Sequence, residues 1–185
     1  MQYIAPVNPS LAGPATQILN SVRKKFGTLP NMFATLANSP TALEACLAFS
    51  GALDNGQLSK ALREQIALTV AGVNECDYCA SAHTFIAKSF GVESGEATRN
   101  LAGHSADPKT AVILRFVANI VRDRAIFADN SAALDELRHA GVTDAEIVEI
   151  IANVALNIFT NYFNHIAGND IDFPIVDSKV GRAAA

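Results

Sequence analysis

The sequence predicts an all-α fold, and three observations carry that prediction. Apolar residues recur at helical spacing almost throughout. No segment shows the alternation of a half-buried strand. The punctuation is that of helices, with Ser, Thr or Asp at the starts and Gly at the ends. A chain of 185 residues can bury one real core, so the expectation is a single helical domain over residues 1–185, assembled as a bundle.

Pro14 opens a first segment that ends near Gly27. Ser39-Pro40 begins a second, which stops at Asn55-Gly56. Ser59 caps a third, reaching about Val73. Its residues 66–73, IALTVAGV, are apolar nearly all round, which predicts burial on most sides. A subunit interface is the expected cover, with a central position in a single-chain bundle as the alternative. A fourth segment, residues 77–90, closes at Gly91, and a short helix over residues 93–101 precedes a loop from Gly103 to Ala106. Asp107-Pro108 starts a long helix whose stripe is Val112, Ile113, Phe116, Val117, Ile120 and Val121. Residues 131–140 and 143–167 complete the set. Thr143-Asp144-Ala145-Glu146 reads as a capping box, and the tail after Gly168 reads as irregular.

Charge excludes some functions. The chain has 14 basic and 18 acidic residues, a net charge of -4, and its one basic run is Arg23-Lys24-Lys25. No basic stripe is available for phosphates, so neither nucleic acid nor an anionic membrane surface is an expected partner. The first residues, MQYIAPVNPS, lack the basic and long apolar regions of a secretory signal, and no apolar run is long enough to span a bilayer. The expected location is the cytoplasm. With three cysteines in a reducing compartment, a close pair points to catalysis or metal binding rather than a structural disulfide.

That pair lies in ECDYCASAH, residues 75–83. On a helix, Cys76 and Cys79 stand at i, i+3 and Cys79 and His83 at i, i+4, so two thiols and an imidazole share one face. A thiol at a helix start sees unpaired N–H groups and the positive dipole end, both of which favour thiolate. A second thiol one turn away can close a disulfide on the first once it is oxidised. The dipole favours Cys76 as the more acidic thiol, whereas proximity to His83 favours Cys79; the attacking role is assigned to Cys79 and the resolving role to Cys76. Zinc needs further ligands, for which His83 and one of His104, His139 or His165 are the candidates. A purely structural pair of small core residues is the remaining alternative. Cys46, on the apolar face of Leu43 and Leu47, reads as core. Glu64, near the start of the buried helix, lies either on an exposed first turn or inward beside a partner.

Glu64, eleven intervening residues, then Cys76-x-x-Cys79-x-x-x-His83 resembles the carboxymuconolactone decarboxylase and alkylhydroperoxidase D-like family, in its redox branch. The phrases LPNMFATLANSP (residues 29–40) and NYFNHIAGNDIDFP (residues 161–174) are similar to a peroxidase-related subgroup, and the motif core covers about residues 58–100. The resemblance implies an all-α trimer or hexamer that reduces hydroperoxides without a cofactor and is recycled by an external dithiol. It also implies Cys79 as peroxidatic thiol, Cys76 as resolving thiol, and Glu64 with His83 in a proton relay. In well-characterised members a relay histidine precedes the second cysteine. Here Tyr78 stands there, a hydrogen-bond partner but a poor base near neutral pH. A lactone decarboxylase on the same fold and a non-catalytic dithiol sensor are the alternatives.

The last long helix carries a second feature. Asn153, Asn157, Asn161 and His165 recur at i+4 with Asn164 beside them, opposite Ile147, Ile151, Val154, Ile158 and Tyr162. A solvated face is the ordinary reading of such a stripe. Amides and an imidazole in place of Lys and Glu suggest instead that its His165 end faces the dithiol and, with Asn161 and Tyr78, binds substrate.

Overall fold

The structure is a computed structural model that describes residues 2–11, 13–127 and 129–180. Among these, two 3₁₀ turns, Pro9–Leu11 and Gly13–Ala15, precede nine α-helices, and there is no strand. The helices are α1 (Thr16–Phe26), α2 (Asn31–Leu36), α3 (Pro40–Leu53), α4 (Lys60–Val73), α5 (Asp77–Lys88), α6 (Ser94–Leu101), α7 (Pro108–Asp123), α8 (Asn130–His139) and α9 (Asp144–Ala167).

The start signals act as their chemistry requires. Ser39 and Ser59 accept the N–H of Ala42 and Leu62 at the heads of α3 and α4, and Asp107 accepts that of Thr110 at α7. Thr143 and Glu146 form the reciprocal capping box of α9. Gly27 and Gly168 end α1 and α9 in the left-handed conformation. Some elements differ from expectation: α1 starts at Thr16, with Pro14 in the 3₁₀ turn before it. Helix α8 starts one residue early because Asp129, not Ser131, receives its first N–H groups. Helix α2 has only six residues, too few to show a period, and was not anticipated. The tail after Ala167 is irregular as far as it is described, and residues 181–185 lie outside the described residues.

Helix α4 is the hub, packed by α5, α6, α7 and α9. Ile66, Leu68, Val70 and Ala71 are wholly buried inside this one chain. Each large side chain so buried contributes roughly 1.5–3 kcal/mol, so cover by neighbouring helices alone explains IALTVAGV. The subunit interface expected on α4 is therefore corrected to a central helix. Gly72 permits the closest approach: a Cβ there would meet the Leu101 carbonyl oxygen of α6 at 1.9 Å. Three apolar clusters surround this hub. One joins α4, α7, α8 and α9; one joins α4, α5 and α6 with the C-terminal segment; the third joins α1, α2 and α3.

On α9 the ordinary reading of a solvated stripe fails, and it is the apolar face that is corrected. Asn153, Asn157, Asn161 and Asn164 are buried rather than solvated, while Ile151 and Tyr162 of the supposed apolar face are exposed. No helix among the described residues is long and apolar enough to cross a membrane.

Candidate active site

The dithiol is positioned by the turn between α4 and α5. Asn74 ends α4, and Glu75 takes a left-handed φ of 57° that reverses the chain within one residue. The Cys76 N–H then returns to the Ala71 carbonyl at 2.9 Å. This leaves Cys76 as the N-cap of α5, a place usually held by Ser, Thr, Asp or Asn. Its sulfur accepts the Cys79 N–H at 3.3 Å. Cys79 is one turn on, and its sulfur lies 2.7 Å from that of Cys76. Both thiols are free and buried.

Burial and contact divide the acidity of the pair. Cys76 is pulled below the ordinary thiol range by the S–H of Cys79, against its own burial, with help from the N–H groups of Cys79 and Tyr78. Cys79 is pushed well above that range, chiefly by burial and then by its hydrogen bond to Cys76 and the charge of that neighbour. The pair thus gives up one proton readily and the second with difficulty.

Amides oppose the burial of Cys79. The Asn164 Nδ2 donates to its sulfur at 3.2 Å. Asn164 Oδ1 accepts from Asn169 Nδ2 at 2.8 Å, and Asn169 Oδ1 accepts from Thr35 Oγ1 at 2.7 Å. This buried chain fixes the amide so that N–H, not C=O, meets the sulfur. Asn161 is fully buried, with Oδ1 receiving Asn74 Nδ2 at 3.2 Å. Its Nδ2 makes no hydrogen bond of ordinary geometry, yet it lies close enough to favour charge on Cys79.

In front of Cys79 opens a cavity of about 510 Å³, lined in part by Met32, Phe33, Leu47, Ile86, Leu156 and Phe173. Glu64, Tyr78, His83 and Asn164 reach the same cavity. Glu64 is turned inward: its Oε2 lies 2.8 Å from His83 Nδ1, with both side chains largely covered. No hydrogen bond among the described residues joins His83 to either sulfur, so the imidazole faces the cavity instead of the thiol one turn away.

Tyr78 is a tie. Its hydroxyl donates to Asp172 Oδ1 at 2.8 Å and accepts the Met32 N–H at 3.2 Å, while the other Asp172 oxygen accepts the Asn31 N–H at the head of α2. Burial raises its pKa further above neutrality, so the phenol stays protonated. The C-terminal segment continues over α5, where the Val176 N–H meets Ser81 and Ser178 meets Asp77.

The structure gathers Cys76, Cys79, Glu64, His83, Tyr78 and Asn161 in one region. His165 is the exception and a correction. It is exposed, one turn beyond Asn161, and its Nε2 meets the backbone carbonyl of Asn74 at 2.9 Å outside the cavity lining. His104 is exposed, and exposed His139 meets the Asp135 carbonyl of its own helix; no three His, Cys, Asp or Glu side chains group to hold a metal ion among the described residues. Cys46 is buried, as expected, but also touches the cavity wall. Sequence reasoning missed Thr35, Asn169 and Asp172, which are tied to the site through the long-range pairs Thr35–Asn169 and Tyr78–Asp172, and it ranked Asn164 behind His165.

The carboxymuconolactone decarboxylase family model matches residues 40–118, which include Glu64, both motif cysteines and His83. A Mycobacterium tuberculosis protein named an alkyl hydroperoxide reductase is 32% identical over 105 residues, which are 56% of this chain but only 30% of that protein. The structure of an alkylhydroperoxidase AhpD core protein, peroxidase-related and from Ralstonia eutropha JMP134, superposes with a TM-score of 0.82 at 27% identity over 92% of each chain. The debrominase Bmp8 with 2,3,4-tribromopyrrole has a TM-score of 0.78 at 19% identity, over 99% of this chain and 95% of that one, and shares the fold. The chain carries the carboxymuconolactone decarboxylase family segment at residues 40–118, on the all-α fold of the alkylhydroperoxidase D-like proteins.

Proposed function

We propose that the protein reduces organic hydroperoxides through a cycling Cys76–Cys79 dithiol. One observation carries the reading: two sulfurs lie 2.7 Å apart, and one of them, Cys79, forms the wall of an apolar cavity that also holds the Glu64–His83 pair. The relationship to a named alkyl hydroperoxide reductase supports it.

When the pair ionises, the first charge falls on Cys76, favoured by the Cys79 S–H and then by the N–H groups at the start of α5. Passing the Cys79 proton across the S···S contact moves that charge to the sulfur that faces the cavity. The Cys79 thiolate attacks the terminal oxygen of the hydroperoxide, and the O–O bond breaks. Sulfur loses two electrons and becomes sulfenic acid, while the alkoxide leaves as alcohol with a proton delivered by His83. Glu64 holds Nδ1 of that imidazole and so directs Nε2 to the exchange. Cys76 then attacks the oxidised sulfur, the S–O bond breaks, and water leaves as the disulfide forms. An external dithiol restores both thiols by two exchange steps and is itself oxidised to a disulfide.

Peroxide consumption in the presence of a small dithiol tests this. Wild type is expected to turn over continuously. With the dithiol left out, Cys76→Ser should consume about one equivalent per chain and stop at sulfenic acid, and Cys79→Ser should consume none. Continued turnover by Cys79→Ser would reverse the assigned roles. Arrest of wild type after a single equivalent would favour the sensor reading.

A further inference from the structure

The cavity is apolar beside the dithiol but not throughout. Lys25, Lys60 and Arg63 also line it, a concentration of cations in a chain that is acidic overall. Two carboxylates line it as well, and both are engaged. Asp54 lies between Arg63 and Lys25 at 2.7 and 3.0 Å, and Glu64 is held by His83. One carboxylate shared between two cations leaves positive charge over. Lys60 meets no carboxylate among the described residues; its Nζ stands 5.6 Å from the centre of the Phe90 ring, at the exposed first turn of α4. Arg63 spends Nη1 on Asp54 and Nε on Asn153, and a guanidinium has further donors to offer. Phe26 and Phe90 stand among these cations and flank them with apolar surface.

A cavity that is apolar beside a reactive sulfur and carries an excess of cations elsewhere in its lining matches one kind of molecule. We infer that the preferred substrate is an amphipathic hydroperoxide bearing a carboxylate, its apolar body in the chamber and its carboxylate against Lys60, with Arg63 beside it. This rests on the peroxidase reading and specifies the substrate class of that same site. The anion positions the peroxide group; it takes no part in breaking the O–O bond.

The test compares 4-carboxycumene hydroperoxide with its methyl ester, a pair that differs by one charge at the end remote from the peroxide. In wild type at low salt, kcat/KM for the acid should exceed that for the ester by roughly fivefold, the scale of one partly exposed charged contact. Added salt should shrink that ratio. Lys60→Met should bring the ratio to about one, and Lys60→Glu should push it below one. Equal consumption of acid and ester by wild type overturns the anion site and leaves the peroxidase reading standing. A preference for the acid that survives in Lys60→Glu overturns the assignment to Lys60. Consumption of neither compound defeats the peroxidase reading itself.

Discussion

At the scale of single residues, reactivity depends on who donates to each sulfur. Cys76 is acidified by the Cys79 S–H and by the N–H groups of the first turn of α5. Its alkylation rate should therefore rise with pH through an inflection below the ordinary thiol value of about 8.5. Cys79→Ala removes the S–H donor, so the Cys76 inflection should move up and its reactivity at neutral pH should fall, as followed by iodoacetamide labelling. Asn164 acts on the other sulfur. In Asn164→Leu the Cys79 thiolate loses its amide donor at 3.2 Å, and peroxide reduction at neutral pH should slow by about tenfold. Recovery of the rate at higher pH would distinguish lost acidity from lost packing. Of these residues, ECDYCASAH announced the thiols, their shared face and His83, and Glu64 was legible through its spacing. The capping role of Cys76 was not, because the left-handed Glu75 that creates it is unremarkable in sequence. Asn164 was hidden too, since its orientation comes from Asn169 and from Thr35 on a different helix.

At the scale of elements, two glycines separate close packing from open surface. Gly72 on α4 faces the backbone of α6, and Gly51 on α3 faces open space. Gly72→Ala should cost about 1–3 kcal/mol in denaturant melts, because backbone rather than a flexible side chain must move. Gly51→Ala should add about 0.5–1 kcal/mol by helix propensity alone. The longer helices could be located from sequence because their caps and periods agree, as at Ser59, Asp107 and Thr143. Helix α2 could not. It is held by Asp172 and Tyr78 from distant parts of the chain, so its stability is tertiary and leaves no local signal. The buried amides of α9 were visible as a stripe, but sequence could not say which side of that helix meets the site.

At the scale of the whole molecule, the pattern of burial moves the expected contact between copies. Helix α4 is covered by its own chain, whereas α9 leaves Val148, Phe159, Tyr162 and Ile166 exposed, the last at 71%. The homo-oligomer proposed from the family resemblance is expected to cover that surface. Light scattering should give a mass that is a multiple of the chain, and Ile166→Glu should lower it; a wild-type monomer would contradict the proposal. Overall class and the hub helix were legible because hydrophobic pattern reports burial. The identity of the covering surface was not, since neighbouring helices and neighbouring chains bury apolar residues alike. The central claim, a dithiol that cycles within one chain, is tested most directly by intact mass and thiol counting after stoichiometric hydroperoxide. The account predicts a loss of about 2 Da, an intramolecular Cys76–Cys79 disulfide, and one remaining thiol at Cys46, which burial keeps protonated. Three intact thiols, or a disulfide between chains, would contradict it.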